Sequence, residues 1–430
     1  MTAVLRSSHD VIVVGSGPGG ATVARELARQ GQKVLVLEQG SDAPLRGSLA
    51  QMAAIAAVPG RGLFINRDAS LLLQGITVGG SSAINFATAM PPPLPLFARY
   101  GVDLQHAVDA VRREVPMAPL PDALIGPMAQ RIAVGAKALG HAWKKLDKMI
   151  YADQCRSACW RCAYGCPFGA KWTARRFLED ALTLGAQLLA SAKVLRVLSH
   201  KGQASGVEFI HQGRLQQASA PVVVLAGGGI ASPRLLKASG VASAEPRHFS
   251  DPVVAVMGSV DDLDGGAEVP MAAGMHLETE GIMLADMTLP MPMYAAFAAQ
   301  VGRFDRLLAH RRSLTLMVKV RDEIGGNIGP RWVNKSLQAN DRQKLAQGVA
   351  MAKAILAQAG ARHIFKTWHF AAHPGGSVRI GEGVDSNLQS RLKNLYVCDA
   401  SVIPEAWGLP PTVTLLCLAK RLAWHLKSGL

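Results

Sequence analysis

The hydrophobic positions of the chain fall into short β-branched runs separated by stretches with helical spacing. Asp10-Val-Ile-Val-Val-Gly15 ends in a glycine, and Lys33-Val-Leu-Val-Leu-Glu38 ends in an acid. Apolar runs of this length without polar alternation predict strands buried on both faces of a parallel sheet. Residues 21–30 between them have helical spacing and a mixed polar face, so the opening segment predicts a strand, helix, strand unit. Residues 175–185 read as a helix, and residues 194–198 and 206–210 as paired strands with polar alternation. Pro221-Val-Val-Val-Leu-Ala226 predicts another buried strand, followed by Gly227-Gly-Gly229 and a short helix through Leu235 and Leu236. From about 247 to 366 strand-like segments such as Leu314-Thr-Leu-Met-Val-Lys-Val320 take over, with one amphipathic helix from about 337 to 359. A strand over 394–398 and a terminal helix from Pro411 to about Leu426 close the chain. The pattern predicts an α/β fold: a discontinuous Rossmann-like nucleotide domain over 1–246 and 367–430, and a smaller α+β substrate domain, or cap, over 247–366. A cysteine-rich insertion at about 150–172 falls within the first.

The turn after the first strand sharpens the nucleotide assignment. In Gly15-Ser-Gly17-Pro-Gly19-Gly20, Gly15 permits a tight turn, Gly17 lets the backbone approach a pyrophosphate, and Gly20 lets helix and strand pack closely. The helix N-terminus offers free N–H groups to the anion, and Glu38 at the end of the second strand is placed to accept from a ribose. A bare glycine pattern also marks ordinary turns, but here every contextual element is present.

Composition bounds the rest. With 430 residues, 49% hydrophobic and 18% charged, the chain can bury a large core, which excludes a disordered protein. No apolar run of about 18 residues occurs and the opening Met-Thr-Ala-Val-Leu-Arg holds no signal-peptide core, so a cytoplasmic location is expected. Peripheral membrane association, or export with a partner, stays open. The net charge of +15 favours anionic partners. Its basic residues are spread out and aromatic content is 5%, so no specific nucleic-acid binding is expected.

Four of six cysteines stand together as Cys155-x3-Cys159-x2-Cys162-x3-Cys166-Pro167, while Cys398 and Cys417 sit alone in apolar surroundings as buried thiols. Four ligands so close suit a 4Fe-4S iron-sulfur cluster wrapped by one loop, with zinc, structural thiols or disulfides as alternatives. Arg156, Arg161, Lys171, Arg175 and Arg176 flank the run; they would offset a thiolate cluster and lower thiol pKa values, or simply form a solvated basic face. A cluster would pass electrons singly to an external acceptor such as an acidic redox protein or a quinone.

At four separated places the chain resembles the glucose-methanol-choline (GMC) flavoprotein oxidoreductases. These are the βαβ unit ending Leu37-Glu38-Gln39-Gly40; Gly75-Ile-Thr-Val-Gly79-Gly80-Ser-Ser-Ala-Ile-Asn85; Gly229-Ile-Ala-Ser232-Pro233 through Gly240; and His373-Pro-Gly-Gly376-Ser-Val-Arg379-Ile-Gly381, continuing through Asp399-Ala-Ser401 to Pro404 and the last helix. The resemblance implies FAD and hydride transfer from a substrate carbon, hence an alcohol dehydrogenase. It places Gly15, Gly17, Gly19, Gly20, Glu38, Gln39 and Ala226 about the nucleotide. It sets Gly79, Gly80 and Asn85 along the isoalloxazine, Val194 near the adenine, and Asp399 and Ala400 near the ribityl chain. Pro411 and Thr412 open the terminal helix, whose dipole would favour reduced flavin, although Thr412 also suits a plain cap.

His373 matches the family's catalytic histidine; without the motif it would read as a structural histidine in a glycine-rich turn. The family's second His or Asn falls here on Pro410, which has neither a side-chain donor nor an N–H. Glu405, Thr412 or a water is left to substitute. That departure keeps open a same-fold enzyme acting on C–C bonds, or a non-catalytic electron-transfer subunit. Met271, Met275, Met283, Met287, Met291 and Met293 suggest an adaptable pocket for a small, hydrophobic substrate, or soft core packing.

Overall fold

The computed structural model describes residues 3–4, 9–66, 68, 70–241, 246–371 and 373–427. Most of the opening hexapeptide, on which the reading of a missing export signal rests, lies outside them. The two apolar runs form β1 (Val11–Val14) and β2 (Val34–Leu37), every residue buried, and α1 (Pro18–Arg29) crosses between them. Pro18 opens α1, where its fixed φ suits a first helical turn and its missing N–H is not needed.

Next come β3 (Leu71–Leu73), α2 (Gln105–Glu114), α3 (Pro127–Ala138), α4 (Ala174–Thr183) and β4 (Gln187–Leu189). A meander of β5 (Ala192–His200), β6 (Gln203–His211) and β7 (Arg214–Ser219) leads to β8 (Val222–Leu225) and α5 (Gly228–Ala238). The following segment supplies β9 (Val253–Ser259), β10 (Ala273–Leu277), β11 (Ile282–Asp286), α6 (Met291–Gln300), β12 (Ser313–Val320) and α7 (Ala339–Gln358). The chain ends in β13 (Phe370–Ala371), β14 (Leu395–Val397) and α8 (Thr412–Lys427).

A five-stranded parallel sheet runs β14-β8-β1-β2-β4, with Val222 to Leu225 matched to Val11 to Val14. Strand β14 comes from the last part of the chain, so the sheet is discontinuous in sequence, as the motif order implies. A second sheet of nine strands holds β3, β13, β9, β12, β11 and β10 in sequence across its middle. Its alternation is plain in β12. Leu314, Leu316, Val318 and Val320 face α7 and α3 through Val349, Ile355, Leu356 and Ile132, while Met317 points the other way.

That other face is lined by Met257, Met271, Met283, Met287 and Tyr294, with Phe86, Met90, Met293, Phe297 and Phe370 packed against it. The methionine-rich stretch therefore divides. Met275 lies under the helices and Met291 is 49% exposed, so only part of the stretch lines one surface.

Helices α1, α2 and α8 are joined by a buried charge network. Lys420 Nζ lies 2.9 Å from Glu26 and 3.0 Å from Glu114, and Arg25 bonds both carboxylates. Burial works to raise the Glu114 carboxyl, but Lys420 and Arg25 hold it below the usual carboxylate range. Removing one partner of such a network strands a buried charge. Glu26→Ala is expected to lower stability by about 3–5 kcal/mol in denaturant unfolding.

Candidate active site

The carboxyl ends of β1, β8 and β14 meet at the glycine turn. Gly15 adopts φ +103°, and a Cβ there would strike the Ala226 carbonyl. A Cβ on Gly19 would strike the Cys398 carbonyl, and one on Gly20 the carbonyl of Gly15. Those three glycines permit backbone to touch backbone. Gly17, the N-cap of α1, differs: a Cβ there would meet nothing within 4 Å. The space lies at a helix N-terminus and is bounded by Gly80, whose own Cβ would approach the Gly17 Cα to 2.9 Å. A bare-backbone cradle at a helix N-terminus fits a pyrophosphate, by room and by free N–H groups.

Glu38 is buried beside this cradle. One carboxylate oxygen accepts from the Ser16 hydroxyl (2.7 Å) and N–H (3.0 Å), and the other from the Gly40 N–H (2.7 Å). Burial raises its pKa, against these hydrogen bonds. Ser16 Oγ in turn accepts from the Gly79 N–H at 3.1 Å, so it links the two glycine motifs; only its place between Gly15 and Gly17 hinted at this. The Ala192 N–H donates to the Glu38 carbonyl, bringing the start of β5, which holds Val194, alongside; Gln39 is half-buried. The Ala226 N–H donates to Val14, locking β8 to the turn.

Asp399 is turned toward its own chain. It accepts from the Gly228 N–H at 2.8 Å, the Ser232 hydroxyl and the Ser401 N–H, and burial raises its pKa. It fixes the start of α5 rather than projecting freely. The Ala400 carbonyl accepts from the Gly376 N–H, which anchors the turn after His373. The Pro411 carbonyl accepts from the Leu415 N–H at the start of α8, and Thr412 Oγ1 accepts from Asn85 at 3.3 Å. The structure thus brings the 79–85 segment to the N-terminus of the last helix.

His373 is held by a partner that sequence reasoning missed. Its Nδ1 lies 3.3 Å from Asp251 Oδ2, and since a carboxylate only accepts, Nδ1 carries the hydrogen. Asp251 is fully buried at φ +49°, and its other oxygen accepts from the Gly408 N–H at 2.7 Å. Nothing local distinguishes Asp251 in the sequence; the pairing of β9 with β13 delivers it. Burial lowers the His373 pKa, the Asp251 hydrogen bond opposes this, and nearby Lys319 lowers it further. The imidazole is therefore neutral at neutral pH, and among the described residues its Nε2 has no partner.

Two expected neighbours are elsewhere. Glu405 accepts from Arg99 (2.7 Å) and the Tyr100 hydroxyl (3.1 Å), away from His373. His369 pairs with Asp68 at 3.3 Å beside a separate groove of about 710 Å³ that Leu337, Leu345 and Lys353 also line.

The cysteine expectation is not supported. Among the described residues no three His, Cys, Asp or Glu side chains are grouped to hold a metal, and all four thiols are free. A short 3-10 turn, Arg161–Tyr164, carries Cys162 inward, where its carbonyl accepts from Lys171. The basic flanks do not make thiolates of Cys155 and Cys162. Burial, then the neighbouring cysteines, pushes the Cys155 thiol up to about 12, and burial raises Cys162 as well. Arg156 lies 3.8 Å over the Phe168 ring, Arg176 4.5 Å over Tyr151, and Arg175 pairs with Asp42. As arranged among the described residues, these thiols are not grouped as the ligands of a cluster.

A nucleotide cradle and a neutral histidine beside an apolar sheet face define a flavoenzyme-like oxidoreductase site. The sequence matches the N-terminal GMC oxidoreductase model over residues 9–255 and the C-terminal one over 327–419, and the chain belongs to the GMC oxidoreductase family. It is 25% identical to long-chain-alcohol oxidase FAO1 of Arabidopsis thaliana, over 97% of this chain and 67% of that one. It is 26% identical to an uncharacterized protein of Methanocaldococcus jannaschii, over 96% and 98%. The fold matches pyridoxine 4-oxidase from Mesorbium loti (TM-score 0.75, 16% identity, 97% of this chain and 99% of that one). It likewise matches a formate oxidase (TM-score 0.76, 15% identity, 100% and 99%). Family membership supports FAD as the cofactor.

Because Gly17 has ordinary φ and empty space beside it, Gly17→Val is expected to fold with stability within about 1 kcal/mol of the parent. Its flavin content, read from the visible spectrum after purification, is expected to fall several-fold or more.

Proposed function

We propose that this protein is an FAD-dependent oxidoreductase that oxidises the CH–OH group of a small, apolar alcohol, with His373 as the base. The observation that carries this reading is the His373–Asp251 pair: a neutral imidazole oriented through Nδ1, with Nε2 left free. Bound FAD supplies the hydride acceptor. Its pyrophosphate would lie at Gly17 and Gly80, with Glu38 and Val194 toward the ribose and adenine, and Asn85 and Thr412 toward the ring. Nε2 accepts the substrate hydroxyl proton, and Asp251 stabilises the imidazolium that forms while holding the ring in place. The face carrying Met271, Met283, Met287 and Phe370 supplies apolar walls. The division into an FAD domain (1–246, 367–430) and a cap (247–366) belongs to the same reading.

An iron-sulfur relay is not part of this reading, because among the described residues the thiols are not grouped as a metal site. The electron acceptor is an external one, a quinone or an acidic redox protein attracted by the positive surface. The alcohol and pyridoxine oxidases among the similar proteins favour molecular oxygen as the rival. A cytoplasmic location is part of the proposal; among the described residues no helix is long and apolar enough to cross a membrane.

Anaerobic mixing of the holoenzyme with an alcohol panel, followed by flavin absorbance, tests the reading. His373→Ala is expected to slow flavin reduction by about 10²- to 10⁴-fold. Unchanged bleaching in that variant would falsify His373 as base and favour C–C chemistry. Since burial lowers the His373 pKa, kcat/KM is expected to rise with pH through a value below the ordinary imidazole pKa of about 6.5.

A further inference from the structure

Five lysines are buried among the described residues: Lys148, Lys171, Lys319, Lys335 and Lys420. Four have their ammonium groups satisfied. Lys148 donates to the carbonyls of Phe86, Pro270 and Met271, and Lys171 to those of Ala83, Asn85 and Cys162. Lys335 pairs with Asp322, and Lys420 with Glu26 and Glu114. Lys319, 2% exposed, has no hydrogen bond or ion pair among the described residues. A buried ammonium without a partner is costly, and an apolar residue in its place would be cheaper. With no protein partner, its ammonium is available to donate to a molecule bound beside it.

Strand register says where that ligand lies. Lys319 on β12 is directly opposite Val253 on β9 and Met283 on β11; Val253 also faces Phe370 on β13, and Met283 faces His276 on β10. Directly opposed residues point to one side, so Phe370, Val253, Lys319, Met283 and His276 form one row on the methionine-lined face. Asp251 precedes Val253 by two residues and His373 follows Phe370 by three. The catalytic pair and the ammonium therefore border the same surface. Asp251 acts on Lys319 through its charge but makes no hydrogen bond or ion pair with it; its two hydrogen bonds go to His373 and Gly408.

We propose that the Lys319 ammonium donates to the substrate oxygen, supplying the second contact that Pro410 cannot make. The assignment rests on the alcohol-oxidation reading. The O–H bond breaks and its proton goes to His373 Nε2; the C–H bond breaks and its hydrogen leaves with the electron pair to oxidised flavin; the C=O bond forms. Lys319 makes and breaks no covalent bond. It stabilises the negative charge on oxygen before the carbonyl is complete, as an oxyanion donor does. The same positive charge helps keep His373 neutral, ready to accept.

Burial brings the Lys319 pKa down to about 8, with Asp251 opposing. The charged and titratable groups that face it are Asp251, His373 and, along the row on β10, His276. Activity needs neutral His373 and charged Lys319. It should rise with pH through the His373 pKa and fall as pH passes about 8.

Stopped-flow reduction of the holoenzyme by octanol and benzyl alcohol across pH is the test, with Lys319→Met, Lys319→Gln and Lys319→Arg beside the parent. Lys319→Met is expected to melt no lower than the parent, yet to lower the limiting rate about 10²-fold with little change in substrate affinity. Its alkaline limb should vanish and its acid limb move upward. Lys319→Gln should also lose the alkaline limb; Lys319→Arg should recover part of the rate, with the limb shifted to higher pH. Acetate, as an oxyanion probe followed by calorimetry, should bind the parent and Lys319→Arg, and bind Lys319→Met about tenfold more weakly. An unchanged rate and an intact alkaline limb in Lys319→Met and Lys319→Gln would overturn the role while leaving the alcohol reading standing. If no alcohol reduces the parent, that reading falls and acetate alone decides: loss of binding in Lys319→Met supports an oxyanion donor, and equal or absent binding ends it.

Discussion

The near-contact of backbone with backbone at the carboxyl ends of β1, β8 and β14 is the constraint from which the rest of the site follows. Gly15 against the Ala226 carbonyl and Gly19 against the Cys398 carbonyl leave no room for a side chain. That closeness draws the starts of α1 and α5 toward one place, the Asn85–Thr412 contact ties the start of α8 to the 79–85 segment, and helix starts carry unsatisfied N–H groups and partial positive charge. An anionic, phosphate-bearing cofactor is the natural complement. Ser16 extends the constraint outward, joining Glu38 on one side and Gly79 on the other. Asp399 does the same for α5, and the Ala400 carbonyl reaches the turn after His373. One geometric restriction thus positions elements that lie far apart in the chain.

Buried charge follows a different logic in the two sheets. Around the parallel sheet it is neutralised locally: Arg25, Glu26, Glu114 and Lys420 close on one another, and their product is rigid helix packing. On the methionine-lined face of the larger sheet the charges are spaced and incompletely satisfied. Asp251 holds His373, while Lys319 is left within their electrostatic reach. Incomplete satisfaction is where chemistry can be done, because a group without a protein partner can act on a bound molecule.

Legibility in the sequence followed the range of the interaction. Buried strands and the glycine turn were readable because their causes are local: unbroken β-branched runs, and glycines at fixed offsets within one turn. The terminal helix was readable from Pro411 and its apolar spacing. Asp251 and Lys319 were not, since each gains its meaning from strand pairing between segments more than 50 residues apart. The methionines misled in part for the same reason. Period-two alternation sends Met283 and Met275 to opposite faces, and that assignment depends on register. The cysteine run shows the converse case, a local signal that the structure does not support. Its spacing was local and suggestive, but whether thiols become ligands depends on how the folded chain groups and solvates them; among the described residues they are not grouped as a metal site, and burial raises the Cys162 thiol.

This asymmetry bears on how a short family member can dispense with its second polar partner. A proline at 410 removes a side-chain donor from the end of the chain that also carries the last helix, and no nearby residue in sequence compensates. The large sheet can supply a donor from its own face while the strand stays anchored on its helix side, where Leu314, Leu316, Val318 and Val320 of β12 pack in the core beneath α7. One lysine in that alternation changes the chemistry of the opposite face while leaving the helix-packed core intact. Changing a catalytic contact by this route requires only that the strand keep its register.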